Sequence, residues 1–293
     1  MEVITRGVIA GPHGPAYARA MTTTGLSQRP VGQLLRRWRE HRRLSQLDLA
    51  IQADISARHL SFLETGRSNP SREMVLLLAE HLTLSLRERN RLLLAAGFAP
   101  VFTEQALDAP GMRAVHRAIR QILTGHDPYP AAVVDGRWNL VDGNTGLGLL
   151  TRLVSPRLLA APVNVLRASL HPEGLAPHIV NFGEWRAHLL GRLRRQIAVT
   201  ADPHLEALDQ ELRAYPCDQP EPEVESPGPG EIMVPLRLRH EGGELAFFSV
   251  IATFGTPLDV TVAELAIESF YPADEATSEA LREIAAAPGH PPS

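Results

Sequence analysis

The sequence has no lysine and only one cysteine, Cys217, among its 293 residues. A single cysteine excludes an internal disulfide and any metal site built from several cysteines. No stretch approaches the run of about 20 apolar residues that a membrane-spanning helix needs. The first twenty residues also lack the continuous apolar core of a signal peptide. We therefore expect a cytoplasmic protein with no membrane partner.

The absence of lysine leaves arginine as the main basic residue, and arginine is unevenly distributed. Residues 29–97 contain 12 Arg against 7 Asp and Glu, which gives a net charge of +5. The rest of the chain has 17 Arg against 26 acidic residues, a net −9, so the total is −4. A basic segment joined to an acidic body is typical of a nucleic-acid-binding module attached to a domain that binds something else.

Residues 29–98 have the pattern of a compact helical bundle. Apolar residues recur at helical spacing, and Ser45, Ser56 and Ser71 each stand where a helix needs an N-cap. Gly97, followed by Pro100, ends the last periodic segment. The pattern predicts short helices at about 31–43, 46–53, 57–64, 72–82 and 86–96.

The segment 44–71 of this bundle reads LSQLDLAIQADISARHLSFLETGRSNPS. Two short helices would meet at a sharp turn, Ala53-Asp54-Ile55, and the second would begin at a capped N-terminus. If Leu60 and Leu63 anchor the second helix, its opposite face is free to enter a major groove. The spacing predicts a helix-turn-helix. The alternative is a helical bundle whose arginines only face solvent.

The segment resembles the Xre-type, phage-repressor helix-turn-helix family in LSQ-x-x-LA and in IS-x-x-x-LS-x-LE-x-GR-x-x-PS. The resemblance implies that Glu64 is structural and orients the loop around Arg67. It also implies three kinds of DNA-binding residue. Backbone contacts would come from Gln46, base contacts from Ala57, Arg58, Ser61 and Phe62, and phosphate contacts from Arg67, Asn69 and Arg72. Independently of the resemblance, the capped helix start at Ser56 presents backbone N–H groups that suit a phosphate. His59 would either contact a base or remain exposed to solvent without a contact to DNA. Ala57 and Phe62 offer no hydrogen bonds, so base reading would depend on Arg58, Ser61 and apolar contact with thymine methyl groups.

From residue 103 the pattern changes to a mixture of strands and helices. Strand-like runs flank Asp135-Gly136, which predicts a hairpin with a tight type I′ turn. Helices are predicted at about 112–123, 145–153, 182–198 and 204–215, and strands at 232–239, 244–254 and 259–271. Residues Asp218–Gly230 are rich in Pro, Glu and Gly and predict a solvated loop. This order favours an α+β domain with one antiparallel sheet and helices on one side.

The order of hairpin, helices and three strands is that of a Per-Arnt-Sim (PAS)-like fold, which commonly encloses an apolar cavity. Over about residues 105–285 the chain also resembles the MmyB-like ligand-binding domain found behind Xre-type motifs. The resemblance is carried by YPAAVVDGRWNLVDGN at 129–144, NVLRASLHPEGLAPHIVNFGEWRAHLLGRLRRQ at 164–196 and FGTPLDVTVAELAIESFYPAD at 254–274. It implies a small ligand of fatty-acid-like character.

The predicted fold class is a mainly α N-terminal helix-turn-helix bundle plus an α+β PAS-like domain with one antiparallel sheet. We divide the chain into five parts: a disordered tail at 1–28, the DNA-binding domain at 29–98, a linker with a connecting helix at 99–128, the PAS-like domain at 129–275 and a C-terminal tail at 276–293.

The segment 182–197 offers candidate ligand-binding residues. An apolar stripe at helical spacing lies beside His188, Arg192 and Arg195, which follow one another at i, i+4 and i+7. An apolar wall with a cation at one end suits the tail and the carboxylate of a fatty acid. The alternative is ordinary core beside surface charges. The candidates are Trp138, Leu149, Leu153, Phe182, Trp185, His188, Leu189, Arg192, Leu193 and Arg195.

No pattern favours an enzyme. Gly143, Gly146 and Gly148 follow a strand, but their G-x-x-G-x-G spacing is the reverse of the dinucleotide fingerprint. The sequence contains no H-E-x-x-H and no G-x-S-x-G. We therefore expect no catalytic residue, metal or cofactor apart from a bound fatty acid or similar amphiphile. The expected partners are an operator in double-stranded DNA and a second copy of the chain, and the alternative is a PAS-like body that holds no ligand and only dimerises or docks partners.

Overall fold

The computed structural model of the protein describes residues 31–220, 233–240 and 243–286. These residues form two compact units, one with residues 31–83 and 89–100 and the other with residues 84–88 and 101–286. The predicted tail at 1–28, the predicted loop beyond residue 220 and the end of the predicted C-terminal tail lie outside the described residues. In the described part, no helix combines the length and apolarity needed to cross a membrane.

The first unit is a bundle of short helices that start and end within two residues of the predicted bounds. Serine caps explain the starts of three of them. Ser45 Oγ accepts a hydrogen bond from the Asp48 amide at 3.1 Å, and the Asp48 carboxylate accepts one from the Ser45 amide. Ser56 Oγ and Ser71 Oγ cap the next two helices by accepting hydrogen bonds from the amides of His59 and Met74. The helices are α1 (Val31–His41), α2 (Gln46–Gln52), α3 (Ala57–Glu64), α4 (Arg72–His81) and α5 (Leu86–Ala95).

The core of this unit is built from leucines at helical spacing and from one close helix contact. Leu35, Leu49, Leu60 and Leu63 are completely buried, so α1, α2 and α3 share one apolar core. Gly32 brings the backbone of α1 against the end of α3, since a Cβ on residue 32 would lie only 2.3 Å from the Leu63 carbonyl oxygen. The bundle therefore holds the C-terminal end and the inner side of α3. The outer side of α3 is not covered by the other helices of the bundle.

The second unit is an α+β domain. It contains a single five-stranded antiparallel sheet in the order β2-β1-β5-β4-β3, within the described residues. This arrangement confirms the predicted fold class. The elements in chain order are α6 (Arg113–His126), β1 (Ala131–Val134), β2 (Leu140–Gly143), α7 (Gly148–Thr151), α8 (Val165–Leu170), α9 (Phe182–Thr200), α10 (Pro203–Arg213), β3 (Leu236–His240), β4 (Gly243–Thr253), α11 (Val260–Ala263), β5 (Ala266–Pro272) and α12 (Glu275–Ala286).

The β1–β2 connection is wider than the predicted type I′ turn. Val134 pairs with Leu140, so five residues form the loop, and Gly136 does not adopt the positive φ that a type I′ turn requires. The Asp135 carboxylate accepts hydrogen bonds from the amides of Arg137 and Asn139 and holds the wider loop in place. Trp138, at φ 66°, turns its indole into the core. The prediction of a tight turn is wrong because the Asp135 side chain stabilises a longer loop.

Helices pack on both faces of the sheet at β1 and β5, whereas the sequence predicts helices on one side. The helices after β2 pack on one face. On the other face, Ile119 and Leu123 of α6 form a core with Ala131, Val133 and Ile267. All four residues of β1 are buried and apolar, which a strand needs when it is covered on both sides. The helix predicted as a connection thus belongs to the core of the second unit.

Two further differences concern the end of the chain. Residues 259–271, predicted as one strand, form α11 followed by β5, because the Asp259 carboxylate accepts hydrogen bonds from the amides of Thr261 and Val262 and starts a helical turn. The predicted tail at 276–293 is wrong for residues 276–286, which lie in α12. Leu281 is buried there, and Thr277 Oγ1 accepts a hydrogen bond from the Ala246 amide of β4 at 3.0 Å.

Candidate functional site

The helix α3 presents the outer face of the helix-turn-helix. Asp54, at φ 52°, makes the sharp turn after α2, and the capped N-terminus of α3 follows at once. Leu60 and Leu63 hold the inner side of the helix in the core. The predicted DNA-binding residues are all exposed or half-exposed: Gln46, Ser56, Ala57, Arg58, His59, Ser61, Phe62, Arg67, Asn69 and Arg72. They lie at the start of α2, along α3 and in the segment that leads into α4.

An aromatic side chain lies between two arginines on this surface. The Arg58 guanidinium is 5.3 Å from the centre of the Phe62 ring, and the Arg67 guanidinium is 5.8 Å from it. Each contact is a cation–π interaction, worth about 0.5–1 kcal/mol at an exposed site. Phe62 therefore does more than offer an apolar contact, since it restricts the directions in which both cations point.

A buried ion pair anchors α1 and α2 to α3. Glu64 accepts two hydrogen bonds from Arg39, at 2.6 and 2.9 Å, and one from Gln46 Nε2 at 2.8 Å. The hydrogen bond to Glu64 raises the pKa of Arg39, so this guanidinium stays charged although it is buried. Glu64 therefore has a structural role, as predicted, but its partners differ from the prediction. It binds Arg39 and Gln46 and not the loop at Arg67. That loop is held instead by the Phe62 carbonyl, which accepts from the amides of Arg67 and Ser68.

The second unit contains an apolar cavity of about 90 Å³. One wall is the sheet, where Ala132, Val134 and Phe270 face inward. The opposite wall comes from the helical segments that follow β2, up to and including α9. It includes Leu147, Leu150, Val154, Leu166, Trp185 and Leu189. The space is several times the cavity volume of about 10–15 Å³ that is needed to hold one water, and its lining is almost entirely apolar.

The structure brings only part of the predicted ligand-binding set to this cavity. Trp185 and Leu189 line it. Phe182, Leu193 and Trp138 are buried in the surrounding core, and Leu149 and Leu153 pack against that core. His188 stacks on Trp185 with ring centres 5.5 Å apart, while Arg195 is exposed on α9.

Arg192 is engaged with a carboxylate that the sequence analysis missed. Its Nη1 donates a hydrogen bond to Glu268 Oε1 at 2.9 Å, and its guanidinium lies 4.6 Å from the centre of the Trp138 ring. Glu268 lines the cavity from β5. The available signal was period-two alternation, because Glu268 shares a strand face with Phe270. The pairing itself joins residues 76 positions apart and has no local signature.

The other polar groups of the cavity lining are hydroxyls. Ser169 Oγ accepts a hydrogen bond from Trp185 Nε1 at 3.0 Å, which satisfies the buried indole N–H. Thr151 also lines the cavity. Among the described residues, no group of three or more His, Cys, Asp or Glu side chains could hold a metal ion. The site therefore offers apolar walls, two hydroxyls and one carboxylate.

Comparison with known families gives two matches that divide the chain in the same way as the motifs. A helix-turn-helix domain model matches residues 30–92. A model described as the MmyB-like transcription regulator ligand binding domain matches residues 115–284, more than half of the chain. No curated protein matches the chain. The matches confirm both the helix-turn-helix and the MmyB-like resemblance.

Proposed function

The chain belongs to the MmyB-like family of transcription regulators with a ligand-binding domain, and from this premise we propose that an apolar amphiphile of the fatty-acid kind controls its binding to DNA. The two matched domains make it a DNA-binding transcription regulator with a ligand-sensing domain. The proposal adds the shape of the ligand, its place in the cavity beside Trp185 and Leu189, and the absence of catalytic activity.

The cavity is the observation that carries the ligand part of the proposal. Each methylene group moved from water into an apolar site contributes about 0.8 kcal/mol. A cavity of about 90 Å³ with an almost entirely apolar lining suits an alkyl chain. Binding should therefore strengthen with chain length until the cavity is full. The geometry gives less support to a carboxylate clamp, because Arg192 already binds Glu268.

The DNA part rests on the outer face of α3. Arg58 and Ser61 are the side chains of this face that can donate hydrogen bonds to base edges, whereas Arg67, Asn69 and Arg72 lie where phosphates would pass. One recognition helix covers a half-site only, so we propose that a homodimer binds a nearly palindromic operator.

One experiment tests ligand and DNA together. The preferred duplex is selected from random DNA with the purified full chain, and its affinity is then measured with alcohols and acids from octanol to hexadecanol and octanoate to hexadecanoate. We expect the best chain to change the DNA affinity severalfold. Leu189→Trp should abolish this response by filling the cavity, with DNA binding itself retained. Val199→Trp is the matched control, because Val199 is 55% exposed on the same helix.

The alternative is a PAS-like body that only dimerises or docks partners. It would be favoured if organic extraction of the purified protein releases no amphiphile and no chain length binds or changes DNA affinity. Equal loss of response in Leu189→Trp and Val199→Trp would argue against the cavity as the site, even if ligands bind elsewhere.

A further inference from the structure

Among the described residues, the cavity presents a carboxylate to its ligand and no cationic side chain. Of the described residues that line it, Glu268 is the one with a charged side chain. Glu268 lies in the middle of β5, opposite Ala132 of β1 and Ile251 of β4. Its side chain is only 9% exposed, so water screens its charge poorly.

The arginine that neutralises Glu268 is held away from the cavity lining. Arg192 donates to Glu268 Oε1 and stacks on the Trp138 ring. Trp138 is fixed in turn, since its Nε1 donates to Gln196 Oε1 at 2.7 Å and Gln196 Nε2 donates to the Gly136 carbonyl at 2.7 Å. To reach a ligand anion, Arg192 would have to leave both its carboxylate and its aromatic partner.

The second oxygen of Glu268, Oε2, keeps its capacity to accept a hydrogen bond. Oε1 takes the hydrogen bond from Arg192, and no residue in the described ranges donates one to Oε2. A carboxylate oxygen in a poorly hydrated site is a strong acceptor for an O–H or N–H donor. A second carboxylate at the same place would instead repel Glu268 and leave one of the two charges without its full counter-charge.

We propose that Glu268 selects ligands whose polar end is an uncharged hydrogen-bond donor, such as a hydroxyl, and disfavours carboxylates. This inference rests on the proposed function, because it assumes that the apolar cavity holds the tail of the ligand, and it narrows that ligand from fatty acids to uncharged amphiphiles with the same kind of tail. It assigns the specificity for the polar end to a strand residue and not to the arginines of α9.

Three probes of equal chain length test the unmodified protein. Decan-1-ol has a donor, decyl methyl ether has only an acceptor, and decanoate has a negative charge. Titration calorimetry at neutral pH should rank the alcohol first, with the ether and the decanoate each weaker by about tenfold or more, the usual loss for a hydrogen bond to a charged group. Decanoate binding as tightly as decanol, or the ether matching the alcohol, would overturn the proposal.

The variant Glu268→Gln then identifies the residue responsible. Removing the negative charge frees Arg192 from its ion pair, so decanoate should gain about tenfold in affinity while decanol does not gain. Glu244→Gln is the matched control, because Glu244 forms its ion pair with Arg237 on the exposed side of the sheet. The control should keep the ranking of the unmodified protein.

The outcomes separate this inference from the proposed function. If no decyl compound and no longer chain binds the unmodified protein, the ligand-sensing proposal fails. If chains bind but acid is preferred over alcohol, and Glu268→Gln leaves that preference unchanged, only the role of Glu268 fails. The probe series needs no variant, so the inference can be tested even if Glu268→Gln does not fold.

Discussion

The two units of the molecule each contain a buried arginine–glutamate pair, and the pairs differ in how completely the protein satisfies them. Glu64 of the first unit is 1% exposed and uses both oxygens on Arg39 and Gln46. Glu268 of the second unit accepts one hydrogen bond from Arg192 and borders a cavity. A pair with no capacity left can only stabilise the fold, whereas a pair with an open oxygen can also recognise a ligand.

The comparison has a physical basis in the cost of burying charge. Removing one partner of a buried pair leaves the other uncompensated, which is strongly destabilising. The damage should be larger where the remaining charge has no other partner. It should be smaller where an aromatic face and a nearby cavity remain, as they do for Arg192 beside Trp138.

The largest effect is therefore expected for Glu64→Gln, which leaves the buried Arg39 with only the exposed Glu40, 3.9 Å away, as a counter-charge. We expect this substitution to lower the free energy of unfolding of the first unit by about 3–5 kcal/mol and to abolish DNA binding. Glu268→Gln should lower the free energy of unfolding of the second unit by a smaller amount. Denaturant unfolding followed by circular dichroism measures both.

Glu40→Gln is the control for this prediction, because Glu40 is 52% exposed, pairs with Arg36 at 2.7 Å on the surface of α1 and reaches Arg39 only at 3.9 Å. Such pairs contribute about 0–1 kcal/mol. Similar losses for Glu64→Gln and Glu268→Gln would remove the distinction between a closed pair and an open one.

Helix packing provides the next test. Gly32→Ala should lower the free energy of unfolding by about 1–3 kcal/mol, since the new methyl group meets the backbone carbonyls of Leu63 and Glu64. Gly125→Ala near the end of α6 meets nothing within 4 Å and should stabilise the second unit by about 0.5–1 kcal/mol. The midpoints of thermal unfolding of the two variants should move in opposite directions, and a Gly32→Ala variant as stable as the unmodified protein would contradict the packing of α1 on α3.

The exposed arginines should separate base reading from phosphate binding. Arg58→Ala should cost about 1–3 kcal/mol on the selected operator and relax specificity at one position. Arg72→Ala should weaken binding to all sequences alike and lower the salt dependence by about one unit. Fluorescence anisotropy on operator and random duplexes at several salt concentrations measures both. Equal losses on the two duplexes for Arg58→Ala would show that Arg58 reads no base.

The smallest effect is expected for a half-exposed pair in the second unit. The hydrogen bonds from Arg167 lower the pKa of Glu211 below its usual 4.5. The pair therefore stabilises the fold above about pH 4.5 and loses this contribution as the pH falls through the lowered pKa. Because Glu211 is 38% exposed, the contribution should stay within about 0–1 kcal/mol.

Glu211→Gln should accordingly flatten the acid side of a plot of stability against pH. Glu206→Gln, an exposed change on the same helix, is the control for the substitution itself. A steeper acid slope in Glu211→Gln would mean that folding does not lower the pKa of Glu211.

The sequence was most informative where contacts are local. The predicted helices of the first unit agree with the structure within two residues, because Ser45, Ser56 and Ser71 each mark a helix start by accepting from the amide three residues later. Side chains of α3 were also assigned correctly to its inner or outer face, since helical spacing decides that face. The partners of Glu64 were not predictable, because Arg39 lies 25 residues earlier in the chain.

The second unit shows the limit of local pattern. The apolar stripe of α9 was identified, but only Trp185 and Leu189 of the ten predicted ligand-binding residues line the cavity. Periodicity marks a residue as buried without saying what it faces, and α9 buries side chains against several neighbours. The wide β1–β2 loop and the packing of α6 were likewise decided by contacts between distant segments.

Residue types at short and fixed spacing were thus enough to establish the two-part organisation, the family and the outer face of α3. Packing between distant segments decided which apolar side chains surround a cavity and that Arg192 is engaged with Glu268. That pairing spans 76 positions between a helix and a strand, and only the packing of α9 on the sheet brings the two charges together.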